Sequence, residues 1–275
     1  MLNDTFNKSE LLRTGGTVIL GNTAGDEWRR VNEASLSEYR DHHQSENYPP
    51  ASLAVMAMFE GFIAKWAKKW GADSLIDLGC GIGSKVPPYV RSLSDVIPYA
   101  GLDPFEENMD REYAFIAGRL EDLAEMNMTS KFGLAIFATS LDHFENAHDA
   151  LKLTPSVVEG GRAIIWCGVH DSAHVAANYA MTRISEICRQ HQSIMSRTLA
   201  FITYALATWP RIVLTLAKRE RNLKAGRPLD KLHFHYFTEA KLLALLSEVG
   251  TVHEFARCPG TNSIFAAVTI PPNAD

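Results

Sequence analysis

Two acidic residues and a run of alternating glycines have the types and the spacing expected of a ligand-binding turn. The segment SLIDLGCGIGS holds the first acid and the glycines, which are Asp77, Gly79, Gly81 and Gly83. A second acid, Asp103, ends the apolar run VIPYAGLD. The carboxylate of Asp77, just before the turn, would repel a pyrophosphate, whose binding depends on amide donors and positive potential, and would suit an ammonium group. Asp103 is placed to accept hydrogen bonds from a ribose diol, so the two acids together predict S-adenosylmethionine as the ligand.

Two other glycine-containing turns fit this segment less well. A dinucleotide-binding turn has the pattern GxGxxG, and Ser84 stands at the position of its third glycine. A P-loop ends in GK[ST], which is missing at the required spacing. Two alternative functions stay open at this point: an NAD-dependent oxidoreductase with a Rossmann fold, and a non-catalytic binding module.

Short apolar runs alternate with helical patterns from residue 74 onward, and the first helical pattern is SKVPPYVRSLS, residues 84–94. Such alternation predicts right-handed βαβ crossovers and a parallel sheet with helices on both faces. A helix, FTEAKLLALLSEVG, and an antiparallel hairpin are expected to complete the chain. The fold class is therefore predicted to be α/β, with a Rossmann-like, doubly wound sheet of seven strands that is mostly parallel and has an antiparallel last strand. The seven runs are SLIDLG, VIPYAGLD, YAFIAG, FGLAIFAT, RAIIWCGV, TVHEFARC and SIFAAVTI.

The pattern predicts four regions along the chain. Residues 1–72 precede the first strand and are expected to form an N-terminal helical cap. Residues 73–171 would form the Rossmann-like core, and residues 233–275 would complete its sheet. Between them, residues 172–232 read as a helical insertion. Insertions after the carboxyl ends of parallel strands lie beside the ligand crevice, so both additions are expected to serve as lid or substrate elements.

Composition and charge argue against several classes of protein. The formal net charge is −5 without an evident basic stripe, so nucleic acid is not expected as a partner. The four cysteines are scattered without a CxxC pair, as free thiols of a reducing compartment would be. The start MLNDTFNKSELL lacks the features of a signal peptide, and no uncharged apolar run approaches the about 20 residues of a membrane span. These features predict a cytoplasmic protein.

Several segments taken in order carry a family resemblance. The segments SLIDLGCGIGS, AGLDP, AGRLEDL and FGLAIFATSLDHF resemble the class I S-adenosylmethionine-dependent methyltransferases. Within that superfamily, the chain is most similar to the small-molecule group related to methyltransferase type 11. The resemblance implies transfer of a methyl group from S-adenosylmethionine to a small or medium organic acceptor, with S-adenosylhomocysteine as the product.

The resemblance also implies which residues bind the cofactor. The glycine turn would approach the methionyl part, Asp103 the ribose, and Pro104 the adenine. Arg119 departs from the family, which often has an acid at this position. The cofactor-binding residues carried over by position are Asp77, Gly79, Cys80, Gly81, Gly83, Asp103, Pro104, Arg119, Leu120, Ala138 and Thr139.

Histidines and acids after the fourth and fifth core strands are the candidates for catalysis. Methyl transfer is an in-line displacement that depends on alignment, and a base is needed when a hydroxyl acceptor must lose a proton. Histidine suits that task because its ordinary pKa lies near neutrality. Oxygen is therefore the predicted acceptor atom. The candidate catalytic residues are His143, Asp142 and His170, and the candidate substrate-binding residues are His233, His235 and Tyr236.

No metal site is predicted at this position. Some quinone-pathway O-methyltransferases have an ExxEH pattern here, whereas this chain has Thr139 in place of the first acid, followed by Ser140, Leu141, Asp142 and His143. Two ligands are too few to argue for a metal.

The insertion contains a long uncharged stretch followed by basic residues. The stretch runs from Thr198 to Pro210, and Pro210 is expected to kink or divide a helix. A lid or a homodimer contact is the favoured interpretation, and contact with a membrane surface is the less favoured alternative. Either interpretation implies an apolar or bulky acceptor. In the N-terminal segment, Tyr39 and His43 are candidates for reaching the cofactor.

Overall fold

The computed structural model describes residues 5–20, 48–105, 110–170, 184, 187–191, 193–225 and 233–272. Ten strands are assigned within these ranges. They are β1 Thr5–Phe6, β2 Thr17–Ile19, β3 Leu75–Leu78, β4 Tyr99–Asp103, β5 Ala114–Ala117, β6 Asn127–Met128, β7 Leu134–Ala138, β8 Arg162–Gly168, β9 Thr251–Arg257 and β10 Ser263–Thr269.

Helices connect and cover these strands. The α-helices of the described ranges are α1 Lys8–Thr14, α2 Pro50–Trp70, α3 Arg91–Ser94, α4 Leu120–Glu125, α5 Ala147–Val157, α6 Ile194–Thr203, α7 Trp209–Lys224 and α8 Glu239–Val249.

The central sheet has the strand order β2-β5-β4-β3-β7-β8-β10-β9. The first six strands of this order are parallel, and β10 is antiparallel to both β8 and β9. The predicted fold class, a mostly parallel α/β sheet that includes an antiparallel last strand, is confirmed. The predicted number of seven strands is wrong by one, because β2 pairs with β5 and extends the sheet at that edge. Part of the expected N-terminal cap therefore belongs to the sheet.

The sheet is buried on both faces, which explains the continuous apolar runs of its strands. Helix α2 covers one face with fully buried side chains such as Phe59 and Trp66. Helices α1, α4, α5 and α8 cover the other face, where Leu123 and Leu246 are fully buried. This arrangement leaves the carboxyl ends of the parallel strands as the place where loops can form a site.

Local signals explain where several helices begin and end. Helix α2 ends at Gly71, whose φ of 63° lies in the left-handed region. Helix α8 begins after Thr238, whose side chain accepts a hydrogen bond from the backbone N–H of Lys241 at 3.2 Å. The helical pattern expected for residues 84–94 is realised only from Arg91 to Ser94. The pair Pro87–Pro88 accounts for the difference, since proline disfavours a helix in the residue before it and removes a backbone donor.

The insertion forms a helical rod in its described part. Helices α6 and α7 are joined by a π-helical turn at Tyr204–Thr208. Pro210 follows this turn and has no backbone N–H to donate to it, so the π-helical turn lies where the sequence predicts a kink or a division of the helix. Among the helices that the structure describes, none is long and apolar enough to cross a membrane.

Candidate active site

A cavity of about 780 Å³ opens at the carboxyl ends of β3, β4 and β7. The strand order changes direction between β3 and β7, and ligands of open α/β sheets bind in the crevice at such a switch point. Its walls come from the loops that follow these strands, from the start of α2 and from the turn after Gly260.

The glycine turn forms one wall of this cavity. Gly79 has a φ of 85° and Gly81 a φ of 74°, which lie in the left-handed region that favours glycine. A Cβ atom on Gly79 would lie 2.6 Å from Cβ of Ser140. Ser140 in turn donates a hydrogen bond to the carbonyl oxygen of Leu78 at 2.5 Å, which fixes its position. Both the backbone angle and the contact require glycine at residue 79.

Replacement of Gly79 with alanine is expected to destabilise the protein by about 2 kcal/mol or more, because the left-handed backbone and the overlap with Ser140 both oppose a Cβ atom. Urea denaturation measures the loss. Gly61→Ala is the matched control, since nothing lies within 4 Å of a Cβ atom on this exposed residue of α2. The control should gain up to about 1 kcal/mol. Equal stability of Gly79→Ala and the native protein would contradict the assigned turn.

Asp103 lines the cavity and is tied to the glycine turn. Its side chain is 5% exposed, and Oδ2 accepts a hydrogen bond from the backbone N–H of Gly81 at 2.8 Å. Oδ1 accepts one from the backbone N–H of Phe105 at 3.0 Å. Burial raises the pKa of Asp103, and the two backbone hydrogen bonds act in the opposite direction. Each carboxylate oxygen has a further lone pair, so this group can accept hydrogen bonds from a ligand.

Asp77 does not line the cavity, so the expected direct contact between its carboxylate and an ammonium group needs correction. The side chain is fully buried, and Oδ2 accepts hydrogen bonds from the hydroxyl groups of Tyr89 at 2.7 Å and Tyr99 at 3.0 Å. Burial raises the pKa of Asp77 to about 7. Tyr89 does line the cavity, so Asp77 acts on the site through this tyrosine.

Replacement of Asp77 with asparagine is expected to change how stability depends on pH. Because the folded pKa of about 7 exceeds the ordinary value of 3.8, the native state binds the proton more tightly than the unfolded state. Stability from this group is therefore greatest below pH 3.8 and falls as the pH rises to about 7. From pH 4 to pH 8, the native protein should lose about 4 kcal/mol relative to Asp77→Asn. Urea denaturation at both pH values measures this difference, and parallel pH profiles would contradict the assignment.

A buried arginine, which does not itself line the cavity, binds the backbone of the glycine turn. Arg111 is 8% exposed, and its Nη1 donates hydrogen bonds to the carbonyl oxygens of Gly81 at 2.8 Å and Gly83 at 3.1 Å. The hydroxyl group of Tyr113 donates to Gly83 O at 2.8 Å, and the guanidinium lies 3.6 Å from the centroid of the Phe115 ring. Sequence reasoning missed Arg111 and Tyr113, because the segment DREYAF belongs to no motif.

The predicted adenine side of the site lies at the start of α4. The Arg119 guanidinium pairs with Glu121 at 3.1 Å and with Glu145 at 3.8 Å, so its charge faces two carboxylates at the rim. The backbone N–H of Arg119 donates to Asp122, which caps the helix. Leu120 is buried and contributes an apolar surface to the cavity.

The remaining predicted cofactor residues also face the cavity. Thr139 follows β7 with a φ of 56°, a conformation that a β-branched residue rarely adopts and that is often found at functional sites. Its backbone N–H donates to the carbonyl oxygen of Trp166 at 2.8 Å, which holds this strained residue in place. Burial raises the pKa of the Cys80 thiol, so the group stays neutral. The cavity-lining residues of this set are Cys80, Gly83, Pro104, Ala138 and Thr139.

Asp142, His143 and His233 come together beside the cavity. His143 lines it directly. Nε2 of His233 lies 3.7 Å from Oδ2 of Asp142, and the rings of the two histidines have centroids 4.7 Å apart. The backbone N–H groups of Phe234 and His235 both donate to the carbonyl oxygen of Asp142, at 3.0 and 3.2 Å. These bonds dock the segment HFHYF against the loop that carries His143.

The other residues predicted for catalysis and substrate binding are His170, His235 and Tyr236, which do not line the cavity. Tyr236 links His233 and His170, with ring centroids 5.7 and 5.4 Å apart. His235 Nε2 lies 3.1 Å from the carbonyl oxygen of Glu145, and burial lowers the pKa of His235. Of the six residues predicted for catalysis and substrate binding, His143 is the one that lines the described cavity. Tyr39 and His43 lie outside the described residues.

The group formed by Asp142, His143 and His233 has ligand atoms within 4.8 Å of one another, which is close enough for the three to share a metal ion. The sequence supplies a carboxylate and two imidazoles, a ligand set that suits divalent transition metals. The expectation that no metal binds here stays a prediction.

Comparison with known proteins gives the fold a precedent. No protein-family model and no curated protein matches the sequence. Among solved structures, the chain is similar to the 1,6-didemethyltoxoflavin-N1-methyltransferase of Burkholderia thailandensis, which was crystallised with 1,6-didemethyltoxoflavin and S-adenosylhomocysteine. The TM-score is 0.52 at 14% sequence identity, and the match covers 92% of this chain and 93% of that chain. The chain shares the fold of this Burkholderia methyltransferase. The PH0226 protein from Pyrococcus horikoshii OT3 has a TM-score of 0.52 at 15% identity, over 85% of this chain and 98% of that chain. The cavity described above lies at the switch point of this shared fold.

Proposed function

We propose that the protein is a methyltransferase that uses S-adenosylmethionine to methylate a small or medium organic molecule. The observation that carries this proposal is the carboxylate of Asp103, which is held at the cavity by the backbone of the glycine turn and can accept further hydrogen bonds. Such a group suits the hydroxyl groups of a ribose. The fold shared with the Burkholderia methyltransferase supports the same proposal.

The residues of this chain would bind and align the cofactor. The left-handed backbone at Gly79 and Gly81 lets the turn approach a ligand closely, and Asp103 would hold the ribose hydroxyls. When bound, S-adenosylmethionine supplies an electrophilic methyl carbon next to a sulfonium. Ala138 and Thr139 at the end of β7 would border that methyl group, and the walls would exclude water from the reaction.

The acceptor is proposed to be apolar or bulky and to react at oxygen. Val55, Met56 and Trp166 contribute apolar surface to the cavity, which suits an organic ring system better than a small polar compound. His143 lies at the cavity beside Asp142 and His233 and would take a proton from a hydroxyl acceptor. The Burkholderia protein is named for methylation at nitrogen, so the preference for oxygen comes from His143.

Transfer of a tritiated methyl group from S-adenosylmethionine tests this proposal. The acceptors are aromatic and aliphatic compounds that carry hydroxyl groups, with matched amines as the second arm. Labelled product in the hydroxyl arm is the expected result. Product in the amine arm alone would contradict the choice of oxygen, and binding of the cofactor without any transfer would favour the non-catalytic module.

Replacement of His143 with glutamine is expected to lower kcat about 10²- to 10⁴-fold while leaving S-adenosylhomocysteine affinity unchanged, because a general base contributes to the reaction and not to cofactor binding. The tritium assay measures kcat, and calorimetry measures the affinity. His253→Gln is the matched control, since this histidine lies on β9 and contacts Thr269. The control should keep full activity.

Treatment with a chelator distinguishes a role of His143 as a general base from a role as a metal ligand. If His143 acts as a base, dialysis against EDTA leaves the activity unchanged. Loss of activity in EDTA that added Zn²⁺ or Mg²⁺ restores would contradict the base, and would make Asp142, His143 and His233 a metal site.

We also propose a cytoplasmic location. All four cysteines are free thiols, which fits a reducing compartment.

A further inference from the structure

Helices α6 and α7 expose large apolar side chains to solvent. On α6, Met195 is 84% and Leu199 66% exposed, and on the π-helical turn Leu206 is 75% exposed. Spacings of three and four residues place such side chains on one face of a helix. We call this set the apolar stripe; it consists of Met195, Leu199, Ile202, Leu206, Trp209 and Val213, all exposed.

The candidate site does not account for the apolar stripe. None of its residues lines the cavity, and within the described part of α6 and α7 no side chain is buried. Contiguous exposed apolar surface of this kind is uncommon on a monomeric protein and indicates an interaction surface. Neither helix is long and apolar enough to cross a membrane.

The same helices carry a concentrated positive charge. Residues 194–224 contain six basic residues and one acidic residue, a net charge of +5, whereas the whole chain has a net charge of −5. Lys218, Arg221 and Lys224 are exposed in the last turns of α7. At 100° per residue, Lys218 lies about opposite Trp209 on the helix and Arg221 about 120° from it, whereas Lys224 lies only about 60° away. Two of the three basic side chains therefore point away from the apolar stripe, and one flanks it.

This charge decides between two occupants of the apolar stripe. A second copy of the chain would place one helix pair of net charge +5 against another, and the like charges would repel. An anionic lipid surface would attract the basic residues and bury the apolar ones, and Trp209 would lie at the boundary between headgroups and acyl chains. The rest of the chain, with its negative charge, would be kept away from the lipid.

We propose that α6 and α7 bind the surface of an anionic lipid bilayer through the apolar stripe and the basic residues that follow it. The helices lie in the plane of the interface, and binding does not require the candidate active site. A bilayer at this position would bring the protein close to apolar molecules that dissolve in lipid.

Sedimentation with lipid vesicles tests this proposal on the full chain. Vesicles of phosphatidylcholine mixed with phosphatidylglycerol are expected to bind the protein, and binding should weaken as salt is added. Vesicles of phosphatidylcholine alone should bind at least about tenfold less protein. Equal binding to both kinds of vesicle, or binding to neither, would overturn the proposal.

Substitutions distinguish binding to a lipid surface from dimerisation with a second copy of the chain. Leu199→Asp combined with Val213→Asp should reduce binding about tenfold or more, and so should Lys218→Glu combined with Arg221→Glu. Leu243→Asp is the matched control, because Leu243 is an exposed leucine on α8 that lies outside the stripe, and it should bind like the native protein. An unchanged thermal transition shows that each variant folds. Dimerisation in solution that the aspartate variant abolishes, with no binding to vesicles, would overturn the proposal in favour of a second copy.

Discussion

Replacement of Asp103 with alanine is expected to weaken the binding of S-adenosylhomocysteine about 5- to 150-fold, or about 1–3 kcal/mol. The carboxylate accepts hydrogen bonds from the backbone N–H groups of Gly81 and Phe105 at the cavity wall. Its removal leaves these donors and the ribose hydroxyls without their acceptor in a water-poor site. Isothermal titration calorimetry measures the change in affinity.

Two further variants give this experiment its controls. Asp103→Asn keeps one acceptor oxygen and should lose less affinity than the alanine variant. Asp95→Ala removes an exposed acid at the end of α3 and should bind like the native protein. Unchanged affinity of Asp103→Ala, with an unchanged unfolding transition, would refute the ribose assignment.

Replacement of Arg111 with methionine is expected to destabilise the protein by about 3 kcal/mol and to weaken cofactor binding as well. Hydrogen bonds from a charged donor are worth about 1.5–3 kcal/mol each, and Arg111 donates to both Gly81 O and Gly83 O from a buried position. Without it, the carbonyl oxygens of Gly81 and Gly83 both lose the guanidinium as a donor, and Gly83 O keeps the hydroxyl group of Tyr113. Urea denaturation and calorimetry measure the two effects.

The lysine variant tests the geometry of this contact. Arg111→Lys keeps the charge but lacks the planar group that stacks on Phe115, so an intermediate loss is expected. Arg13→Met, on an exposed position of α1, should change stability by no more than about 0.5 kcal/mol. Native stability and affinity in Arg111→Met would show that the arginine does not hold the turn.

Residue types and spacing predicted much of this architecture. The apolar runs identified seven of the strands, because a parallel sheet covered on both faces needs continuous apolar sequence. Strand β2 has only three residues, and Thr17 and Ile19 are exposed, so no such run marks it. Residues 84–90 were predicted to be helical, but Pro87 and Pro88 prevent a helix there, so it begins at Arg91.

Residues of the candidate site could be predicted only where one short segment of the sequence contains all the residues of a motif. The glycine turn and Asp103 belong to short motifs, and the structure places them at one cavity. The surroundings of Asp77 depend on Tyr89 and Tyr99, which are brought in by folding, so its burial and its raised pKa could not be inferred from the motif. The role of Arg111 could not be inferred for the same reason, since folding brings it to the backbone oxygens of Gly81 and Gly83.

Calorimetric titration of the protein with S-adenosylhomocysteine and, separately, with NAD tests the central claim most directly. A carboxylate at the ribose position and a turn without a phosphate-binding pattern predict binding of one S-adenosylhomocysteine molecule per chain, and no heat of binding with NAD. Saturable binding of NAD, with none of S-adenosylhomocysteine, would contradict it.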